Sequence, residues 1–341
     1  MNRHRFALLL IAALVVLSAA MYLSERRNAS TDVQGVALLP SLAGDVNTVT
    51  AVIVRKGSAA PLTVHKVGDQ WSVAERADYP ADTAKLRKLL LSLREAKIIE
   101  EKTSDPARFA SIGVEDPAAP GAAGTEITVV GPAAKRAIIV GKPVGEGTFV
   151  RRVGENRSYS VEPAIALETE PRYWIDSRLL DVPATLIQSI EVKPAAGAAY
   201  SLRRLKPADD TFGLDGVPAG RKPVDGHALA PAPTTFTALT AEDVAPSSDV
   251  DFKSSTQEIV TLTDGNVITL TGTAAADKHW IQVKSSKDAA LTAKSSGRAF
   301  EIASYRYEAI FKPLDQLLVS KEAAVPKGAT AAPGASKKPA G

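Results

Sequence analysis

The stretch VTAVIVRKGSAAPLTVHKVGDQWSV, residues Val49 to Val73, decides how the body of this 341-residue chain folds. Val49, Val52 and Val54 open an apolar run and Gly57 and Pro61 interrupt it. Leu62 and Val64 resume it, Gly68-Asp69 turns the chain again, and Trp71 and Val73 close a third segment. Residues two apart on an extended strand share a face. Alternation punctuated by turn residues therefore predicts a small antiparallel meander with one buried side.

Outward from this meander, toward the C-terminus, the period changes. Asp82, after Tyr79-Pro80-Ala81, suits a helix N-cap. Leu86, Leu89, Leu90 and Leu93 then fall at i, i+3, i+4 and i+7, one apolar stripe. Lys85, Arg87, Lys88 and Arg94 surround the stripe and read as a solvated helix face rather than an anion site. Asp105-Pro106 starts a second short helix through Phe109, Gly113 suits its C-terminal cap, and Asp116-Pro117 breaks the chain. Strands are expected at Ile127-Val129, Ile138-Val140, Phe149-Arg151 and Tyr159-Val161. A helical segment carrying Tyr173, Trp174 and Leu179-Leu180 is expected to end the region.

The second half repeats these marks at an offset of roughly 130–140 residues, about the size of one ordinary domain. Ile187, Ile190 and Val192 have the spacing of Val49, Val52 and Val54. Phe212 stands for Trp71, Glu258-Ile259 for Glu126-Ile127, Trp280-Ile281 for Phe149-Val150, and Phe300-Glu301-Ile302 for Tyr159-Ser160-Val161. Leu317-Leu318 closes this copy as Leu179-Leu180 closes the other. Pro231 and Pro233 fall where the leucine stripe would recur, so the second copy is expected to have the weaker helix. The predicted fold class is α+β: two tandem similar modules, 49–181 and 182–320, each an antiparallel sheet with packed helices, preceded by one transmembrane helix. Residues 321–341 are Ala, Pro, Gly and Lys with almost nothing large, and are expected to form a disordered tail.

The transmembrane expectation rests on Phe6 to Leu23, which has no charged side chain and ten Leu, Ile, Val or Phe residues. A helix of that length would reach about 27 Å, near the roughly 30 Å of a hydrocarbon core. Residues 1–5 would then be the cytoplasmic N-terminus and 24–48 a linker. A cleaved signal peptide is the alternative, with Arg3 and Arg5 as its basic region and Ser18-Ala19-Ala20 as the cleavage site. Arg26 and Arg27 follow the segment, so basic residues alone do not set its orientation; the order of charge and then apolar run favours the N-terminus inside. Either reading predicts an exported body.

Composition excludes several classes of chemistry. The absence of cysteine removes disulfides, thiolate metal sites, iron–sulfur clusters and thiol nucleophiles. The net charge of +3 is spread among interleaved acids and bases, without the basic stripe of a nucleic-acid binder. None of His4, His65, His227 and His279 has a second ligand at helical spacing. Gly141 to Gly147 is glycine-rich but opens no helix, so it reads as a hairpin connection rather than a phosphate cradle. Ser254-Ser255-Thr256 and Ser285-Ser286-Lys287 read as polar loops. Glu100-Glu101 and Asp209-Asp210 are adjacent carboxylates that point apart on extended chain. Trp71, Trp174 and Trp280 sit in apolar patterns and read as core. No residue is assigned a catalytic, cofactor-binding or metal-ligating role.

Several of these marks together resemble a known bacterial family. They are Trp71-Ser72-Val73, Tyr79-Pro80-Ala81-Asp82, the leucine helix, the run from Thr103 to Pro117, and the strands at Ile138-Gly141 and Phe149-Arg151. The chain resembles a domain-of-unknown-function family of anchored envelope proteins encoded beside gliding-motility-type ABC transporter genes. The resemblance implies a non-enzymatic extracytoplasmic auxiliary or scaffolding subunit of an ABC-type transport system, at the cytoplasmic membrane with its body in the periplasm and with transporter subunits as protein partners. A membrane-anchored module that binds cell-wall glycan or peptide is the alternative expectation. Neither implies a cofactor.

Overall fold

The computed structural model describes residues 13–21, 34–42, 46–132, 135–206, 211–275 and 277–319. The first sheet has nine antiparallel strands: β1 (Ala51–Lys56), β2 (Leu62–Val67), β3 (Gln70–Val73), β4 (Tyr79–Pro80), β5 (Lys97–Thr103), β6 (Thr125–Val130), β7 (Lys135–Val144), β8 (Gly147–Arg152) and β9 (Ser158–Glu162), in the order β4-β3-β2-β1-β6-β7-β8-β9-β5. A two-stranded ribbon follows, made by β10 (Arg178–Leu180) and a later strand, β14 (Leu239–Thr240). The second sheet contains β11 (Ile187–Lys193), β12 (Tyr200–Arg204), β13 (Phe212–Asp215), β15 (Asp243–Pro246), β16 (Thr256–Leu262), β17 (Val267–Ala275), β18 (Lys278–Ser285) and β19 (Arg298–Ile302). Its order is β13-β12-β11-β16-β17-β18-β19-β15.

The two strand orders correspond one for one apart from β4, and the registers correspond as well. Val52 and Val54 face Val64 and Leu62 in the first sheet, as Ile190 and Val192 face Leu202 and Tyr200 in the second. Trp71 stands opposite Lys66 and Phe212 opposite Arg204, and in each case the cation lies over the ring. Phe149 pairs with Ser160 as Trp280 pairs with Glu301. One match read from the sequence is wrong by a residue. Val54 faces Ile127 across the β1/β6 ladder and Val192 faces Glu258 across β11/β16, so Glu258 takes the place of Ile127, not of Glu126.

Helix contributes less than the α+β expectation required. Of the described residues, strand occupies 39% and helix 26%, so the fold is mostly antiparallel sheet. Helix α1 (Thr83–Glu95) has 13 residues, capped by Asp82, whose carboxylate accepts from the amides of Ala84 and Lys85. Its buried residues are the four stripe leucines. The others are short: α2 (Phe109–Ile112), α3 (Ala289–Ser295) and α4 (Ser304–Ile310). Gly113 caps α2 at φ 71°, in the left-handed region that suits glycine. Where a second leucine helix would lie, two 3-10 turns stand instead, Gly226–Leu229 and Ala232–Phe236, because proline removes amide donors from a helix. The helical segment expected around Tyr173 and Trp174 is a four-residue 3-10 turn before β10.

The transmembrane expectation is corrected too. Among the described residues no helix is long and apolar enough to cross a membrane. The described helical residues of this segment, 13–21, cover about 14 Å. The rest of the segment from Phe6 to Leu23 lies outside the described residues, as do 1–5 and 321–341. Part of the expected linker is packed: the Gly35 amide donates to the Ile98 carbonyl and the Leu38 amide to that of Ala96, with Leu38 and Leu42 fully buried.

Candidate functional site

The two sheets are joined into one body by groups drawn from both. Tyr79, at the β4 edge, is fully buried and meets Phe300 of β19 edge to face at 5.5 Å between ring centres. The Arg76 guanidinium makes two bonds to the Asp243 carboxylate, Nε to Oδ1 and Nη2 to Oδ2 at 3.1 Å. Arg298 donates to the carbonyls of Ala77 (3.1 and 2.8 Å) and Asp78 (3.2 Å). Those two residues hold φ of 56° and 50°, left-handed values that strain a side-chain-bearing residue, so one module grips a strained turn of the other. Lys294 adds bonds to the Asp176 carboxylate and the Arg178 carbonyl, and the β10/β14 ribbon crosses the join. Burial, and then the nearby Asp176 charge, hold the Tyr79 phenol well above the usual range against the opposing pull of Arg298.

The chemically unusual group lies inside the second module. Along β16, Glu258, Val260 and Leu262 alternate inward, and Glu258 is 3% exposed. Its Oε2 has no hydrogen-bond partner. Burial alone pushes its carboxyl well above the ordinary range, so the acid is neutral where other carboxyls are charged. Glu258 lines a cavity of about 140 Å3 walled by Ile190, Leu202, Leu229, Ile310 and Leu317.

Packing explains the cavity. In the first module α1 lays four leucines over the matching face of the sheet, and Ile127 occupies the position of Glu258. In the second module the 3-10 turns bring Leu229 and Phe236 but no continuous apolar stripe, and the face is incompletely filled. The two hydroxyls on the wall are committed. The Tyr200 hydroxyl donates to the Lys312 carbonyl at 2.5 Å and the Thr235 hydroxyl to Ala232 at 2.8 Å. Burial raises the Tyr200 phenol well above its usual range, with the nearby Glu258 as a second cause.

Clefts of about 470 and 840 Å3 flank Trp71, which is half-buried, but the Lys66, Arg87 and Arg94 side chains beside it face solvent. His65 Nε2 lies 3.2 Å from the Asp78 carboxylate, and His279 packs against Tyr307 at 4.8 Å. Gly141 to Gly147 runs along the β7/β8 hairpin. The hydroxyls of Ser285 and Ser286 both donate to the Asn266 side-chain oxygen, which knits a turn. Trp174 is buried, its Nε1 donating to the Glu168 carbonyl. Asp209-Asp210 lies outside the described residues. No group of three His, Asp or Glu side chains among the described residues is placed to hold a metal.

Glu258 was missed because the match to Glu126 put it on the wrong face. The signal was in its own strand: Glu258, Val260 and Leu262 share one period-2 face, and a slip of one residue reverses every side chain.

No curated protein and no solved structure gives a significant match. Residues 71–257, more than half of the chain, match the family described as a domain of unknown function, DUF4340; the match runs from β3 in the first sheet to the start of β16 in the second. The chain belongs to this family.

Proposed function

We propose that the body is a non-enzymatic, extracytoplasmic accessory or scaffolding subunit of an ABC-type transport system. The observation that carries this reading is the join between the sheets. Arg76–Asp243, the Arg298 grip on the Ala77-Asp78 turn and the Tyr79–Phe300 contact fix two similar platforms in one orientation. A rigid pair of platforms suits holding partners at a set spacing, whereas catalysis by closure needs modules free to move. The resemblance to envelope proteins encoded beside transporter genes supports the choice of partner.

Crosslinking in intact cells followed by mass spectrometry tests the proposal. Transporter subunits crosslinked to the body are the expected result. Cell-wall glycan or peptide in their place would favour the wall-binding alternative, which the half-buried Trp71 beside its open cleft supports. Protease added to spheroplasts tests location: degradation of the body is expected, and full protection would place it in the cytoplasm.

A further inference from the structure

We propose that the cavity under the second sheet is a receptor for a small aliphatic primary amine, whose alkyl chain occupies the apolar chamber and whose ammonium pairs with the carboxylate of Glu258. This is independent of the scaffolding role. A buried carboxyl is ordinarily hydrogen-bonded or paired, because an isolated one pays desolvation without return. Glu258 is 3% exposed with an unpartnered oxygen, and it stands where the sister module has an isoleucine. Packing therefore does not require an acid at this place in the sheet.

The chamber sets the rest of the ligand. About 140 Å3 resembles an apolar cavity of about 150 Å3 that admits benzene, the size of six heavy atoms. Ile190, Val192, Leu202, Leu229, Ile310 and Leu317 offer the body no hydrogen bond, and the Tyr200 and Thr235 hydroxyl protons are already donated. Glu258 is thus the acidic group available to hold a cationic head, and as a carboxylate it accepts from one or two of the N–H groups an ammonium presents. Lys312, the cation that lines the same wall, makes no ion pair with it among the described residues, and burial is the one cause of the shift of the Glu258 carboxyl. An incoming amine supplies the counter-charge that the fold leaves out, and Glu258 releases its proton to solvent as the pair forms.

The test is calorimetric titration of the full chain with n-pentylamine and with its neutral counterpart n-pentanol. Pentylamine should bind at least tenfold more tightly, with a proton released in proportion to binding. Glu258→Gln keeps the size of the side chain and removes its charge, and should abolish that preference while the fold melts normally. Ala232→Leu keeps the charge and fills the chamber, and should weaken both ligands at least tenfold. Equal or tighter binding of pentanol to the unaltered protein, an amine preference that survives Glu258→Gln, or no binding of either ligand would each overturn the proposal.

Discussion

Replacing Glu258 by isoleucine, the residue at the matching position of the first sheet, should make the protein more stable, and more so as pH rises. The substitution removes a buried polar group whose Oε2 has no partner, a defect worth about 1–3 kcal/mol. For a domain of roughly 150–250 residues, about 2 kcal/mol raises the melting midpoint by about 4–8 °C. The pH dependence follows from the raised folded-state pKa. At low pH the carboxyl is protonated in both folded and unfolded chains, and ionisation contributes nothing to the difference. Above the ordinary carboxyl range the unfolded chain loses its proton while the folded chain keeps it. The folded state then binds more protons, and the stability of the unaltered protein falls as pH rises, until the folded-state carboxyl also ionises. The gap between variant and unaltered protein should therefore open above about pH 4.5 and widen with rising pH until the folded-state carboxyl ionises. Urea denaturation of both proteins between pH 4 and pH 9 measures it. A gap that stays constant across this range, or a variant less stable at neutral pH, would refute the reasoning.

Arg298→Ala should cost about 1–3 kcal/mol in urea denaturation, because it leaves the Ala77 and Asp78 carbonyls without the guanidinium that crosses the join. Combined with Arg76→Ala its effect should depart from additivity, since Arg76 adjoins the turn that Arg298 holds and both side chains cross the same join. Gly272→Ala should cost about 1–3 kcal/mol, because an added Cβ would fall 2.2 Å from the Phe311 ring; a neutral result would mean that the ring swings away freely. Leu93→Ala in α1 should cost about 2–5 kcal/mol by thermal melting, since that side chain is fully buried.

Where local pattern sufficed, the sequence was legible. The Val49–Val73 alternation became β1 to β3, with Val52, Val54, Leu62, Val64 and Val73 buried on one face, and Asp82 capped the leucine helix as its position suggested. The pairing of Trp71 with Phe212 and of Phe149 with Trp280 was readable because aromatic residues mark a strand's phase. The Glu258 match failed for the opposite reason: an acid followed by an isoleucine recurs in both copies, but one residue out of phase, and only the ladders with Val54 and Val192 show the slip. Helix content was overestimated because Tyr173-Trp174 and Phe236 carry apolar bulk without the i, i+3, i+4 repeat that sustains a helix. The cavity was not legible at all. It arises from two 3-10 turns covering less of a sheet than one helix, a difference of volume and not of pattern.

That difference of volume bears on why the modules are joined so firmly. A chamber of about 140 Å3 costs about 3 kcal/mol at roughly 24 cal/mol per Å3, before the unpartnered carboxyl is counted. Against the 5–15 kcal/mol that holds a typical domain, this is a large deficit for the second module to carry alone. In the first module the leucine helix covers the corresponding face beside the cleft at Trp71, and Ile127 lies buried in the place of the acid. The join ties this module to the other at one edge. Phe300, fully buried, rests on Tyr79 of the first module, while Asp243 and Arg298, from the β15/β19 edge of the second sheet, bind Arg76 and the Ala77-Asp78 carbonyls. The edge that is clamped belongs to the same sheet that holds Glu258, four strands away through β16, β17, β18 and β19. A copy secured at its edge by its sister can keep an imperfect interior, and an imperfect interior with one unpaired acid is what a small ligand requires.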